Sequence, residues 1–333
     1  MSENPSETPK PYALGVDIGG TKIAVAAVGR DGAVVHKRKT AVAQGAVTAT
    51  ADQILELIET VLERSSLTWS DIAGVGVCIP GIYFAADATV WAPNVWGDQR
   101  VALGDVLRQR ISADVVIDSD RAAYVLGEQW LGAAQGLSDV VFMAVGTGIG
   151  AGIISGGRLC RGSSDIAGAV GWFAVGPRRN EPDRTTGALE FHAAGPAVAR
   201  RATERIATGE FSSLRERDIT TEVVVRSALE GDAVAASVLD ETASYLGMGI
   251  ANIISILNPQ VVVLGGGLMN AGDYLLEKIR DEVLLWAQPL AAQQCRIELT
   301  RLGDDAGLTG AARLVFLAEN NQGGTKNVCQ TIL

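Results

Sequence analysis

An α/β protein of two lobes is the architecture the sequence predicts, and three observations carry that expectation. Apolar runs of strand length alternate with stretches of helical periodicity over most of the 333 residues. A strand, a tip of glycine and threonine and a second strand occur twice, at Leu14–Val28 and again at Val140–Ile154, one for each lobe. The chain is long for a single domain, and its 47% hydrophobic content is enough for two cores. The expected division is a small N-terminal lobe at 12–118, closed by a C-terminal helix at 304–317, and a large lobe at 119–303, with flexible tails at 1–11 and 319–333.

Each element follows from its residues. The opening strand, Leu14–Val16, reaches Asp17 and the turn Gly19-Gly20-Thr21-Lys22 before a second apolar run at Ile23–Val28, and Ala33–Lys39 continues as a third antiparallel strand. Ile54, Leu55, Ile58, Val61 and Leu62 recur at helical spacing, and Ile72–Ile79 then reads as a strand ending at Pro80-Gly81. Asn94 falls in the loop APNVWGD, Leu103–Ile111 is helical, and Val115–Ile117 is a short buried strand whose end carries Asp118, Ser119 and Asp120. A helix over Arg121–Ala134 leads to the strand Val140–Val145, the turn Gly146-Thr147-Gly148-Ile149-Gly150 and the strand Ala151–Ile154. Residues 162–186 read as irregular and 188–206, 222–229 and 233–257 as helices, the last stopped by Asn258-Pro259. Val261–Leu264 is a buried strand running into Gly265-Gly266-Gly267, with a helix at 275–286; a strand at 296–299 and a helix from Asp304 to about Leu317 close the chain.

Composition narrows the function. With 28 basic against 38 acidic residues, a net charge of −10, a nonspecific grip on nucleic acid or on an anionic membrane is disfavoured. The first ten residues, MSENPSETPK, carry no apolar core, so neither a signal peptide nor a transit peptide is expected, and no apolar run approaches the ~18 residues of a membrane span. A cytoplasmic protein is expected. Cys78, Cys160, Cys295 and Cys329 are scattered, with no paired spacing, and read as isolated thiols.

The chemistry is concentrated at the glycine turns. Adjacent glycines bring backbone N–H groups close to an anion, Thr21 adds a hydroxyl and Lys22 a positive charge, a combination suited to phosphate. Asp17 beside such a cradle repels phosphate unless a cation such as Mg2+ lies between them. An ordinary surface hairpin also places Gly-Gly at its turn, but a second turn of the same design at Gly146–Gly150 makes the phosphate reading much stronger. The third turn, Gly265-Gly266-Gly267, offers bare backbone on which a flat ring can lie.

These motifs together resemble the ROK sugar kinases, of the hexokinase, Hsp70 and actin ATPase superfamily. The resemblance runs from Leu14 to about Leu317: DIGGTK is similar to the family's first phosphate motif, VGTGIGAG to its second, LNPQVVVLGGG to its adenosine motif and GDDAGLTGAA to its closing helix. It implies a two-lobe actin-like ATPase (ribonuclease H-like) fold with ATP and substrate in the interlobe cleft. By resemblance Asp17, Gly19, Gly20, Thr21, Lys22, Gly146, Thr147, Gly148, Gly150, Gly265, Gly266 and Gly267 would bind ATP, with Asp17 holding Mg2+ through water. The family's catalytic aspartate lies in a segment Asn-Asp-x-Asn-Ala-Ala-x-x-Gly-Glu, which in SDRAAYVLGE puts Asp120 on the base, with Ser119 and Ala122 replacing the asparagines. Such a base would take the proton of an acceptor hydroxyl as it attacks the γ-phosphate, although either Asp118 or Asp120 could instead cap the following helix.

Two family features are missing. The sugar-binding segment Glu-x-Gly-His reads Ala169-Val170-Gly171-Trp172, and the cysteine-rich zinc motif is replaced, its positions falling on Glu181, Asp183 and Ala188, so no zinc site is expected. Glu190 and Asn94 match retained sugar-binding positions, giving Asn94, Ser119, Asp120, Ala169, Trp172 and Glu190 as the expected substrate residues. The acceptor is then a sugar or sugar-like polyol, with a cyclitol or C7 carbasugar favoured by the loss of hydrogen-bonding groups near the anomeric position. The alternatives are glucose or an amino sugar, with Trp172 in the core, and a noncatalytic sugar-sensing protein. No DNA-binding helix-turn-helix precedes Leu14, which disfavours the family's repressor branch, and a homodimer is implied by the resemblance alone.

Overall fold

The computed structural model describes residues 9–43, 45–176, 186–215, 217 and 219–322. They form two compact units, one holding the residues up to Leu131, Ser163–Asp165 and those from Asp304 onward, the other Gly132–Gly162 and Ile166–Gly303.

In the first unit, β1 (Tyr12–Ile18), β2 (Lys22–Gly29) and β3 (Val34–Ala41) form the expected meander, followed by α1 (Val47–Ser65) and β4 (Ile72–Ile79). A small sheet of β5 (Ile82–Phe84), β6 (Thr89–Trp91) and β7 (Arg100–Val101) follows, with the short helix α2 (Pro93–Trp96) between its last two strands, then α3 (Leu103–Arg108), β8 (Asp114–Ser119) and α4 (Asp120–Leu131). The main sheet runs β3-β2-β1-β4-β8, with β1, β4 and β8 parallel. Because side chains alternate along a strand, β1 and β4 each present two different faces. Leu14, Val16 and Ile18 join Val75, Val77 and Ile79 and the buried face of α1 (Ile54, Ile58, Val61) in one apolar core.

The other face of that sheet is built from small residues, because a helix backbone lies directly on it. This C-terminal helix, Ala306–Gln322, contributes Leu308, Ala312, Val315 and Phe316 to a second core with Ala13, Ala26 and Val28. A Cβ at Gly15 would stand 2.1 Å from the Leu308 carbonyl oxygen and one at Gly76 1.8 Å from that of Ala311. On the helix itself, a Cβ at Gly310 would meet the Ala123 carbonyl oxygen of α4 at 1.7 Å. Main chain therefore meets main chain on both sides of this helix.

The second unit repeats the plan with different surroundings. Strands β9 (Val140–Val145), β10 (Ile149–Ser155) and β11 (Arg158–Leu159) are antiparallel, and β12 (Val261–Gly265) and β13 (Arg296–Leu299) run parallel to β9, in the order β11-β10-β9-β12-β13. Helices α5 (Ala188–Ala193), α6 (Gly195–Ala207), α7 (Thr221–Leu229), α8 (Ala233–Leu257), α9 (Asp273–Trp286) and α10 (Pro289–Gln294) accompany the sheet. The long helix α8 starts on Asp232, whose carboxylate accepts from Ala235 N–H, and stops at Asn258, in the left-handed region at φ 44° ahead of Pro259. Its buried Val238, Leu239, Leu246, Ile250 and Ile254 anchor the unit's core, each aliphatic side chain contributing about 1.5–3 kcal/mol of burial.

Several expectations need correction. Asn94 is in α2, not in a loop, since Pro93 occupies the first helical turn. The stretch 188–206 is two helices, because Pro196 at the start of α6 forces a new helix. The helix after β8 begins at Asp120 and ends at Leu131, and α3 ends at Arg108. The final helix runs past Glu319 to Gln322, and the first unit extends beyond 118 to Leu131, because α4 packs against that final helix. The strands β5, β6, β7 and β11 and helix α10 were not foreseen. Glu181 and Asp183 of the lost zinc motif, and Cys329, lie outside the described residues.

Replacing Gly76 or Gly310 with alanine is expected to destabilise the protein by about 2–4 kcal/mol in urea unfolding, because a backbone clash cannot be relieved by turning a side chain. Gly176→Ala, where an added Cβ would meet nothing within 4 Å, is expected to stay within about 0.5 kcal/mol of the parent.

Candidate active site

The residues expected to act fall into two groups, one in each unit. In the first, the parallel strands β1, β4 and β8 end along one edge of the sheet, which is where open α/β sheets carry their chemistry. Asp17 is the penultimate residue of β1. Gly19 N–H donates to the Lys22 carbonyl at 2.7 Å and closes the first glycine turn, leaving Thr21 and Lys22 exposed. Asn94 lies against it: a Cβ at Gly20 would sit 3.4 Å from Asn94 Cβ.

Asp120 is the first residue of α4. Its Oδ1 accepts from the Arg121 N–H at 2.7 Å, while Ser119 Oγ accepts from Ala122 N–H at 3.3 Å, so capping of this helix falls to Ser119. Asp118 is buried, and its Oδ1 accepts from the Ser119 N–H. Burial raises the Asp120 carboxyl to about 7; the Arg121 charge lowers it and the negative charge of Asp17 raises it further. Burial likewise raises the Asp17 carboxyl, against the lowering effects of the Cys78 thiol and Lys39, with Asp304 pushing it up again. Two carboxylates thus share one desolvated edge and repel each other, an environment short of positive charge.

Three neighbours of this pair had no signal as site residues. Cys78 is fully buried, and burial raises its thiol well above the ordinary range, so it stays a neutral donor. Tyr124, one helical turn after Asp120, has its phenol raised by burial and by Asp17 and Asp120. Gly307 belongs to the final helix, and a Cβ there would stand 2.5 Å from Asp17 Oδ2. A cysteine in an apolar strand and a glycine in a helix look like packing residues until the chain is folded.

In the second unit, β9 and β12 are parallel neighbours, so the turns that leave them, Gly146–Gly150 and Gly265–Gly267, are adjacent; a Cβ at Gly146 would be 3.9 Å from Gly267 N. Gly146 N–H donates to the Gly148 carbonyl at 3.0 Å, and Gly195 N–H at the start of α6 donates to the Gly146 carbonyl at 2.8 Å. Gly266 has φ +94°, and a Cβ there would strike the Val145 carbonyl at 2.4 Å, so this turn requires glycine; Gly267 has open space around it. Thr147 is exposed. Glu190 reaches this turn from α5, its Oε2 accepting from the Ile149 N–H at 2.6 Å, and burial raises its carboxyl. Gly148 and Gly171 make room for it, since a Cβ on either would come within 3.0 Å of Oε2.

The segment Gly168–Trp172 lies along β10: Ala151 N–H donates to the Gly168 carbonyl at 2.8 Å. Ala169 and Trp172 thereby stand in the same unit as Glu190. Trp172 is 57% exposed, which excludes the expectation that it is a core residue.

Whether these groups fit a nucleotide with a divalent cation can be judged from their donors. Magnesium prefers hard oxygen ligands and takes one or two protein carboxylates together with phosphate oxygens. Asp17, with hard oxygens and excess negative charge beside a glycine turn, fits that role. Among the described residues no group of three or more His, Cys, Asp or Glu is placed to hold a metal, so the remaining ligands would be phosphate and water. No helix is long and apolar enough to cross a membrane among the described residues.

Comparison with known proteins matches this architecture. The model of the ROK family matches residues 13–317. Over 321 residues the chain is 34% identical to a glucokinase of Halalkalibacterium halodurans, covering 93% of this chain and 96% of that one. It is 31% identical over 270 residues to a xylose repressor of Caldicellulosiruptor bescii, covering 79% of this chain and 67% of the repressor. Among solved structures, a ROK family glucokinase from Streptomyces griseus in complex with glucose and AMPPNP is similar with a TM-score of 0.76 and 31% identity, covering 91% of this chain and 98% of that one.

The raised Asp120 carboxyl has a consequence for stability. Its folded value of about 7 exceeds the ordinary 3.8, so the protonated form is favoured by folding, and stability is lost as pH rises from about 4 to about 7. Asp120→Asn is therefore expected to be more stable than the parent at pH 8, by roughly 2–4 kcal/mol, and so to unfold at a higher temperature, with the difference shrinking toward zero below pH 4. Thermal unfolding of both proteins across that range measures it.

Proposed function

The chain belongs to the ROK family, and from that premise we propose that it is an ATP-dependent kinase that phosphorylates a hydroxyl of a sugar or sugar-like polyol. The observation that carries the reading is Asp120: a carboxyl held near neutrality, at the edge of the sheet where Asp17 and the first glycine turn also lie. A general base with a value near the working pH combines a useful fraction of the ionised form with real affinity for a proton. Asp120 takes the proton of the acceptor hydroxyl as its oxygen bonds to the γ-phosphorus and the bond to the β-bridging oxygen breaks. Asp17 would hold Mg2+, and the cation, when bound, would supply positive charge that neutralises the phosphate oxygens.

The other groups bind and orient. Thr21, Lys22, Thr147 and the N–H groups of Gly19, Gly20, Gly146, Gly148 and Gly150 hold phosphate, and the open backbone at Gly265–Gly267 receives the adenine. Asn94 and Glu190 orient the acceptor. Ser119 serves by holding the start of the helix that carries Asp120. Most of the rate then comes from positioning and fixed charge.

The acceptor is read from what the pocket has lost. Ala169 and an exposed Trp172 stand where the family carries an acid and an imidazole, which favours a ring lacking a free anomeric hydroxyl, a cyclitol or C7 carbasugar, over glucose. The 34% identity to a glucokinase supports glucose as the second reading, with an amino sugar beside it. The sensing role has a weaker basis, because nothing in the phosphate turns or at Asp120 departs from what catalysis needs.

An ADP-release assay over hexoses, amino sugars and cyclitols tests both readings: turnover on a polyol of this panel is expected, and none would remove the kinase assignment. Asp120→Asn should lower kcat by at least about 1,000-fold while nucleotide binding persists, and for the parent kcat/KM should fall tenfold per unit below about pH 7. The double substitution Ala169→Glu with Trp172→His should raise glucose turnover; no gain would speak for ordinary glucose recognition by other residues.

A further inference from the structure

We infer that Cys78 is a positioning residue: its thiol fixes the orientation in which the Asp17 carboxylate meets the nucleotide-bound divalent cation. The inference rests on the assignment of Asp17 made above. Cys78 and Asp17 are register partners on the parallel strands β4 and β1, so their side chains leave the sheet side by side, on the face covered by the final helix. Cys78 Sγ donates to Asp17 Oδ1 at 3.2 Å, and the Gly307 carbonyl lies 3.7 Å from the same sulfur. No other hydrogen bond to this carboxylate is seen among the described residues.

The second oxygen is constrained from a different direction. Gly307 lies so close that a Cβ would stand 2.5 Å from Oδ2 and 2.7 Å from the carboxyl carbon. One oxygen is therefore held by a donor on β4 and the other is bounded by bare helix backbone. The thiol has one proton and two acceptors within reach, and the carboxylate oxygen is both the nearer, at 3.2 Å against 3.7 Å for the Gly307 carbonyl, and, when ionised, the stronger. Groups that orient a metal-binding residue from behind typically cost 10- to 100-fold in metal affinity when removed. Cys78 meets the description of such a group, being fully buried and out of reach of solvent chemistry.

The experiment is calorimetric titration of the whole protein with a non-hydrolysable ATP analogue, once with Mg2+ and once with EDTA. For the parent, Mg2+ is expected to tighten binding. Cys78→Ala should lose about tenfold of that Mg2+-dependent gain with the EDTA affinity unchanged, and Cys78→Ser, which keeps a donor, should restore most of it. Cys78→Val, also without a donor, gives the same reading should the alanine protein fold poorly. A parent-like gain in the donor-free variants, or equal losses with Mg2+ and with EDTA, overturns the role of Cys78 and leaves Asp17 in place. No Mg2+ gain in the parent, or a full gain in Asp17→Asn, overturns both.

Discussion

The constraint on which the first unit depends is the approach of one helix backbone to within a bare Cα of its neighbours. The C-terminal helix touches β1 at Gly15, β4 at Gly76, α4 through Gly310 and the Asp17 carboxylate through Gly307. At such distances dispersion contacts are dense and no side chain separates the layers, so the helix fixes the relative positions of all three elements it touches. Two of those elements carry Asp17 and Asp120. The packing of the helix at 306–322 is thus part of what places the Asp17 and Asp120 carboxylates.

How much of this was legible in the sequence can be argued residue by residue. The buried strand Val140–Val145 and the helix 233–257 were readable to their ends, because an unbroken apolar run or a helical stripe with an Asn-Pro stop leaves little choice. The glycine turns were readable as turns, because adjacent or alternating glycines break the apolar runs on either side of them. The alternation of Gly74, Gly76 and Cys78 with Val75, Val77 and Ile79 was present in the sequence too, but its meaning was not. A strand buried on both faces looks the same whether its small residues face a ligand, another strand or a helix. The strands β5 to β7 were missed because runs of two or three residues fall below any periodicity, and Cys78 because its hydrogen bond joins two strands distant in sequence.

The carboxylate pair shows why such an edge is expensive to keep. Asp17 and Asp120 are each desolvated, and each raises the other's energy when both are ionised. Nothing in the packing of the unit requires two acids there, and stability alone would favour neutral groups. Such a pair amounts to a preformed demand for positive charge. Surface pairs such as Lys37 with Asp305 and Lys39 with Asp304 tie β3 to the start of the final helix nearby, but as exposed contacts they contribute little.

The path of the chain between the two units sets an order of assembly. During synthesis, residues 132–303 of the second unit leave the ribosome as one nearly continuous block and can close their sheet before translation ends. The sheet of the first unit emerges before that block, and one of its faces lacks its cover until residues 306–322 arrive. A chain stalled short of that helix would carry every residue of the second unit while the sheet of the first still lacked the cover of one face.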